Sequence, residues 1–273
     1  MTSTPRATPA AAYVRADERT AHSTALTRGP WNHEHQHAGP PIALVCGAVE
    51  RTAHAHGLAH VARLTANLIR PVPIAPLAVE VMTDYVGRNA GHFSAHLIAA
   101  GREVARFTAL VQREVHVELP DSRRDATAPA TPPNPEQLQE CHFPFAGGEV
   151  GYADLVETRA ADGRMFNGPC TIWFRLRHPL VQDEAPSPYQ RVAVAADSGN
   201  GISAVLDWRD YTFVNSDLTV NLLRRPAGEW ICLQARTYVG PGGTGLAEST
   251  LFDSDGMIGR STQSLSIRKR AHA

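Results

Sequence analysis

Lysine is almost absent from this sequence, because Lys269 is the only one among 26 basic residues. Arginine therefore supplies nearly all of the positive charge, and 27 acidic residues bring the formal net charge to -1. No basic stripe of the kind that contacts nucleic-acid phosphates stands out. We therefore expect no nucleic-acid partner.

Long apolar runs and paired cysteines are also missing. No segment approaches the ~18 apolar residues that a membrane-spanning helix requires, and residues 1–12 lack the apolar segment of a signal peptide. No CxxC pair occurs, which argues against a zinc ribbon. We expect a cytoplasmic protein with reduced thiols and no membrane contact. The widely spaced cysteines are Cys46, Cys141, Cys170 and Cys232.

Signatures of cofactor or serine-hydrolase chemistry are not found either. Residues 240–245 fit GxGxxG, but residues 246–252 predict a strand where a dinucleotide site requires a helix. No GxSxG surrounds a serine. His33, His35 and His37 alternate and would share one side of an extended chain, yet no acidic or cysteine ligand set accompanies them. We expect no metal and no organic cofactor.

What the sequence does contain is an internal repeat. The segments that begin at Leu64 and Leu218 both start with LT-x-N-L and both run into Arg-Pro. Each then continues as an alternating run that ends in Tyr-Val-Gly, at Tyr85 and at Tyr238. The chain therefore contains two copies of one unit.

Each copy predicts one helix followed by antiparallel strands. Residues 231–239 alternate with a period of two, as in a half-buried strand, and the Asp-Gly turn at 253–256 separates two further strands. The first helix is predicted to begin at Pro40-Pro41, where proline suits a first helical turn. The second is predicted from about Tyr189 to Leu206.

A segment between the copies has the composition of an exposed linker. Residues 120–137 read PDSRRDATAPATPPNPEQ, which cannot bury much apolar surface. We predict an N-terminal unit over 13–116, a linker over 117–140 and a C-terminal unit over 141–270. Exposed sheet edges would allow self-association, so a homo-oligomer is a further expectation.

Two copies of a strand, a buried helix and a curled antiparallel sheet resemble the double hotdog, an α+β fold. LTRGPW at 26–31, followed by the His-Ala-Gly-Pro-Pro of 37–41, resembles the region before the first helix in relatives of acyl-CoA thioesterase II. A His-Gly-Gly pattern is usual there, and Ala38 replaces its first glycine. The segments that begin at Asn215 and Gly245 resemble the C-terminal hotdog of the same group. The resemblance covers the chain except its first dozen residues and the linker.

This resemblance implies hydrolysis of an acyl-CoA or a related acyl thioester by water, without a cofactor. In the family an Asp, a Ser or Thr and a Gln of the second hotdog hold the attacking water. Carried over to this sequence, they are Asp197, Ser216 and Gln263. The position that answers Gln263 in the first copy is Ala109, which fits one working site per chain.

These residue types suit the chemistry. A carboxylate can accept the proton of water, and a hydroxyl and an amide can fix its remaining hydrogen bonds. His37 and Gly39, before and at the start of the first helix, are the predicted substrate-binding residues. Backbone N–H groups there could hold an oxyanion, although Pro40 and Pro41 cannot donate.

Alternatives remain open at this stage. Asp197 could be an ordinary helix residue or a cap, and Gln263 an ordinary surface residue. Asn215 or Asp217 could face the site instead of Ser216, because a one-residue slip exchanges the faces of a strand. For the whole chain, the alternatives are a non-catalytic acyl-thioester-binding hotdog and a hotdog hydratase or dehydratase.

Overall fold

The structure is a computed structural model that describes residues 8–118, 129–146 and 148–270. Part of the linker predicted over 117–140 falls on residues 119–128, which lie outside the described residues.

The α-helices in the described part of the chain are few. They are α1 (Gly39–His54), α2 (Tyr152–Leu155), α3 (Pro188–Ala196) and α4 (Gly199–Ile202). None of them is long and apolar enough to cross a bilayer. Two prolines stand in the first turn of α1, where a missing N–H costs no hydrogen bond. The capping box of Ser187 and Gln190 starts α3, because it satisfies two otherwise unpaired N–H groups.

The second helix is interrupted, whereas the sequence predicted one helix over 189–206. Asp197 is the C-cap of α3, and α4 starts two residues later at Gly199. Glycine disfavours helix by about 1 kcal/mol relative to alanine. It also permits a close approach here, since a Cβ at Gly199 would lie 2.9 Å from Ser249 Oγ and 3.1 Å from Gln263 Oε1. The break places Asp197 at the end of a helix.

The strands form one antiparallel sheet. They are β1 (Tyr13–Arg15), β2 (Thr20–Ser23), β3 (His60–Leu68), β4 (Pro76–Val86), β5 (Ala90–Ala99), β6 (Arg102–Gln112), β7 (Glu140–Cys141), β8 (Val156–Asp162), β9 (Cys170–Leu176), β10 (Tyr211–Asn215), β11 (Asp217–Leu222), β12 (Ile231–Val239), β13 (Thr244–Asp253) and β14 (Gly256–Lys269). Their order is β1-β2-β4-β5-β6-β3-β11-β14-β13-β12-β9-β8-β7, and β10 also pairs with β14. The blocks β4-β5-β6-β3 and β12-β13-β14-β11 therefore mirror each other and meet at β3 and β11.

The strand register confirms the predicted repeat. Thr65 pairs with Thr108 in the first copy, and Thr219 pairs with Thr262 in the second. The interval from Thr65 to Thr219 is 154 residues, and that from Thr108 to Thr262 is the same. Thr65 and Thr219 also pair with each other, with their hydroxyl oxygens 3.2 Å apart. A pseudo-twofold axis thus passes between β3 and β11.

The helices α1 and α3 pack antiparallel on the inner face of this sheet. A Cβ at Gly39 would lie 2.5 Å from Val194 O, and a Cβ at Gly47 would lie 2.4 Å from the Gln190 side chain. The start of α1 therefore meets the end of α3, and the later part of α1 meets the start of α3. The main hydrophobic core fills the space between these helices and the sheet.

Candidate active site

A cavity of about 300 Å³ opens where the start of α1 meets the end of α3. This volume is at the lower end of the range of small-molecule sites, about 300–1,000 Å³. Its apolar lining includes Trp31, Leu68, Ile69, Val72, Phe143, Phe145, Phe166 and Val214. Its polar wall includes His37, Asp197, Asn215 and Ser216. An apolar space beside a few polar groups suits an acyl chain with a reactive carbonyl at one end.

Asp197 is the centre of the polar wall. Its side chain is only 3% exposed, and its Oδ2 lies 3.0 Å from His37 Nδ1. Its Oδ1 accepts a hydrogen bond of 2.8 Å from Asn215 Nδ2. Gln263 Nε2 donates to the Asp197 backbone oxygen at 3.1 Å and lies 3.5 Å from Oδ1. Three side chains from separate elements therefore fix this carboxylate.

These contacts keep the carboxylate ionised. Burial of Asp197 opposes its charge and would raise its pKa. Electrostatic attraction to His37 and hydrogen bonds from His37, Asn215 and the Gly39 N–H outweigh burial, so the pKa of Asp197 lies below its ordinary value. Asp197 is therefore a carboxylate at neutral pH.

Gln263 connects β14 to the break between α3 and α4. It is 2% exposed, and its Oε1 accepts from the Asn200 N–H at 3.0 Å. Its Nε2 donates to the backbone oxygen of Asp197, so both ends of the amide have hydrogen-bond partners. The structure thus joins Gln263 to Asp197, as a group that holds the carboxylate in place.

Ser216 lies on the cavity wall but does not contact that carboxylate among the described residues. Its backbone N–H donates to Ser264 O, and its carbonyl accepts from the Leu68 N–H. Its side chain is exposed. The neighbouring Asn215, which the sequence left as an alternative, is the residue that bonds to Asp197. Both residues line the cavity.

His37 and Gly39 lie where the sequence placed them, at the start of α1. The His37 ring stacks on Tyr152, with ring centroids 3.7 Å apart and planes 4° from parallel. The Tyr152 hydroxyl donates to Val194 O at 2.9 Å and lies 2.8 Å from Ser198 Oγ. A buried tyrosine thereby fixes the plane of the imidazole. Sequence reasoning missed Tyr152, because the one-turn helix α2 that carries it has no periodic signal.

The alternating histidines do not gather around a common point in the described ranges. His33 is exposed, and the backbone of His35 bridges to Pro73. Among the residues that the structure describes, no group of three His, Cys, Asp or Glu side chains is placed to hold a metal ion.

Both halves of the chain match family models. Residues 27–112 match a model described as the acyl-CoA thioesterase N-terminal domain. Residues 125–267 match a model described as the acyl-CoA thioesterase C-terminal domain. No curated protein matches the chain.

Several solved structures share its fold. A hot dog fold protein of unknown function from Alicyclobacillus acidocaldarius is 19% identical, with a TM-score of 0.71 and 97% of both chains covered. An acyl-CoA thioesterase II from Mycobacterium marinum is 16% identical, with a TM-score of 0.66 and 96% of both chains covered. The tesB protein of Mycobacterium avium subspecies paratuberculosis is 16% identical, with a TM-score of 0.66 and coverage of 94% and 95%. Together with the duplicated sheet, these similarities confirm the predicted double hotdog fold.

Proposed function

The chain belongs to the acyl-CoA thioesterase family, and from this premise we propose that it hydrolyses an acyl-CoA, or a related acyl thioester, with a water molecule held at the site that Asp197, Ser216 and Gln263 form. Family membership identifies a thioester hydrolase. The observation that carries the finer proposal is the buried, ionised Asp197 on the wall of an apolar cavity of about 300 Å³.

Each of the three residues has a distinct part in this proposal. Asp197 supplies the negative charge that favours removal of a proton from water. The exposed Ser216 hydroxyl fixes the water from the cavity side, since a hydroxyl can both donate and accept. Gln263 holds Asp197 in position through two hydrogen bonds to the end of α3.

His37 and Gly39 form the substrate-binding edge in the same proposal. His37 lines the cavity and is fixed against Tyr152. Gly39 acts through close packing, because a Cβ there would lie 2.5 Å from Val194 O and push α1 away from α3. The Gly39 N–H lies 3.2 Å from His37 Nδ1 and also interacts with the Asp197 carboxylate, so this amide lies at the contact between the two side chains.

The proposal is tested by turnover of acyl-CoAs of increasing chain length, with and without a metal chelator, read as release of free thiol. We expect thiol release well above spontaneous hydrolysis, and no effect of the chelator. Binding of acyl-CoA without thiol release would favour the non-catalytic alternative. Conversion of an enoyl-CoA without thiol release would favour the hydratase alternative.

A further inference from the structure

Asp197 and His37 differ in how easily a water molecule in the cavity can reach a polar atom of the side chain. Both carboxylate oxygens of Asp197 have partners, one in His37 and one in Asn215. The Asp197 side chain is 3% exposed, whereas that of His37 is 13% exposed. A water in the cavity therefore meets the imidazole more readily than the carboxylate.

The free atom of this imidazole is Nε2. Among the described residues, Nε2 of His37 has no hydrogen-bond partner, while Nδ1 faces Asp197 and the Gly39 N–H. In the same part of the chain, the one side-chain nitrogen or oxygen that is fully buried and lacks a hydrogen-bond partner is Arg63 Nε. Nε2 of His37 also lacks a partner, so it is not fully buried. We infer that it is accessible from the cavity that His37 lines.

The charge of Asp197 selects the tautomer of His37. A lone pair on Nδ1 would face a carboxylate at 3.0 Å and be repelled, so the neutral ring carries its proton on Nδ1 and donates it to Asp197. In this tautomer Nδ1 cannot accept from the Gly39 N–H, which lies 3.2 Å away, so the Gly39 N–H bonds to the Asp197 carboxylate instead. This assignment leaves a lone pair on Nε2, directed into the cavity.

We propose that His37 is a catalytic residue, in which Nε2 takes the proton of the attacking water while Asp197 orients the ring and stabilises the imidazolium. This inference rests on the proposed function and names the proton acceptor at the same site. The carboxylate keeps its charge throughout, in the manner of the aspartate in a serine-protease triad.

In this reaction His37 first accepts one proton from water and later donates it to the leaving group. Water oxygen attacks the thioester carbon as its proton passes to Nε2, which forms a C–O bond and a tetrahedral oxyanion. The C–S bond then breaks, and the imidazolium returns the proton to the leaving sulfur. The products are a carboxylic acid and a thiol, and no oxidant, reductant or metal is consumed.

Other titratable groups near His37 are few. Asp197 and Tyr152 contact its ring directly. His35 and Arg70 are the remaining titratable side chains of the cavity lining in the described chain. A pH profile must therefore be assigned by substitution of His37 itself.

His37→Asn provides the test, because the Asn amide can still donate to Asp197 as Nδ1 does but has no counterpart of Nε2. We expect kcat to fall about 10²–10⁴-fold. The acid limb of the wild-type kcat/KM profile, where activity falls as pH is lowered, should be lost. Added imidazole should restore part of the activity of His37→Ala. The matched control is His33→Gln, which should keep wild-type turnover.

The outcomes separate this inference from the proposed function. Wild-type turnover in a folded His37→Asn, or an acid limb that persists in it, would show that His37 only positions Asp197. A wild-type acid limb that lies below about pH 4, the range of a carboxylate, would also overturn the inference. If the unmodified chain hydrolysed no thioester, the proposed function and the role of His37 would both fail. If His37→Asn did not fold, two measurements would still test the inference. They are the pH of the acid limb in the wild-type kcat/KM profile and the rescue of His37→Ala by imidazole.

Discussion

The two ends of the α1–α3 helix pair are built alike but differ in what they can do. At the first end, which comprises His37 and Asp197, a carboxylate at the end of α3 meets a side chain just before α1, at 3.0 Å. At the second end, which comprises Ser187 and Glu50, a carboxylate near the end of α1 accepts a hydrogen bond of 2.6 Å from the residue just before α3. The duplicated fold thus produces two similar polar junctions.

Space is the first difference between the two ends. The first end opens into the cavity of about 300 Å³, whereas the void beside Cys46 at the second end measures about 10 Å³. Large side chains fill the second end, where the buried His60 bonds through Nδ1 to the Tyr189 hydroxyl and through Nε2 to Leu222 O. Of these two ends, as the described residues form them, the first has room for a substrate and the second does not.

Side-chain chemistry is the second difference. The repeat interval of 154 residues places Ala109 where the second copy has Gln263, and Ala62 where it has Ser216. An alanine can neither fix a carboxylate nor hold a water. The comparison teaches that duplication preserves the backbone junction, whereas the site depends on a few side chains present in one copy.

The pKa values of the two carboxyl groups, Glu50 and Asp197, shift in opposite directions. Burial raises the pKa of Glu50, and the Ser187 hydrogen bond with the charges of Arg225 and Arg51 offsets only part of this. The partners of Asp197 outweigh its burial and lower its pKa. The second end therefore disfavours the ionised carboxylate that the first end stabilises.

The largest expected effect separates the two carboxylates. Asp197→Asn should lower kcat about 10²–10⁴-fold, because it removes the charge that supports proton transfer. Glu50→Gln at the second end should leave kcat unchanged, as measured by thiol release on the same acyl-CoA. Equal losses in both variants would mean that the ends are equivalent, and thermal unfolding should verify that both variants fold.

The next effect concerns the glutamine that only the second copy has. Gln263→Ala should lower kcat by up to about 10²-fold through misplacement of Asp197, while acyl-CoA binding persists. It should also lower the melting temperature, because the buried Asn200 N–H loses its partner. Ala109→Gln in the first copy should create no second active site. A gain of turnover in Ala109→Gln would break the comparison.

A smaller effect is expected from the cavity hydroxyl. Ser216→Ala should lower kcat about 2–13-fold, the equivalent of one hydrogen bond of about 0.5–1.5 kcal/mol. Ser216→Thr should retain activity because the hydroxyl remains. If both substitutions were silent, Asn215 would be the residue that meets the water, and Asn215→Ala would be measured next.

The opposite pKa shifts predict opposite effects on stability against pH. Glu50 has a raised pKa in the folded chain, so its contribution to stability is present below its unfolded pKa of about 4.3 and is lost as pH rises through the folded value. The melting temperature of Glu50→Gln relative to the wild type should therefore increase from about pH 4 to pH 7. Asp197 has a lowered pKa, so its contribution is present above about pH 3.9 and is lost as pH falls. Asp197→Asn should thus be relatively least stable near neutral pH, and the same sign in both variants would contradict the assigned shifts.

The smallest effect should follow cleavage between the copies. We propose that the units over 13–116 and 141–270 stay associated after a protease site inserted into 117–140 is cut, because β3 pairs with β11 and α1 packs on α3. Thiol release should persist, and the fragments should co-elute in gel filtration. Separation of the fragments on cleavage would count against a shared core.

The sequence predicted the repeated scaffold because strand periodicity and turns are local properties. Residues 231–239 read as a strand, and β12 has these bounds. The break at Asp197 was missed because it depends on Gly199 approaching β13 and β14. The contacts of Asp197 with His37 and Asn215 join residues far apart in the chain, and no local pattern encodes such a meeting.

Binding stoichiometry tests the central claim of one working site per duplicated chain most directly. The measurement is calorimetric titration of the wild type with a non-hydrolysable thioether analogue of the acyl-CoA that is turned over fastest. We predict one analogue bound per chain, with binding weakened when Val214→Trp fills the cavity at the first end. Two analogues per chain, or one that Val214→Trp does not affect, would contradict the assignment of the site to the His37–Asp197 end.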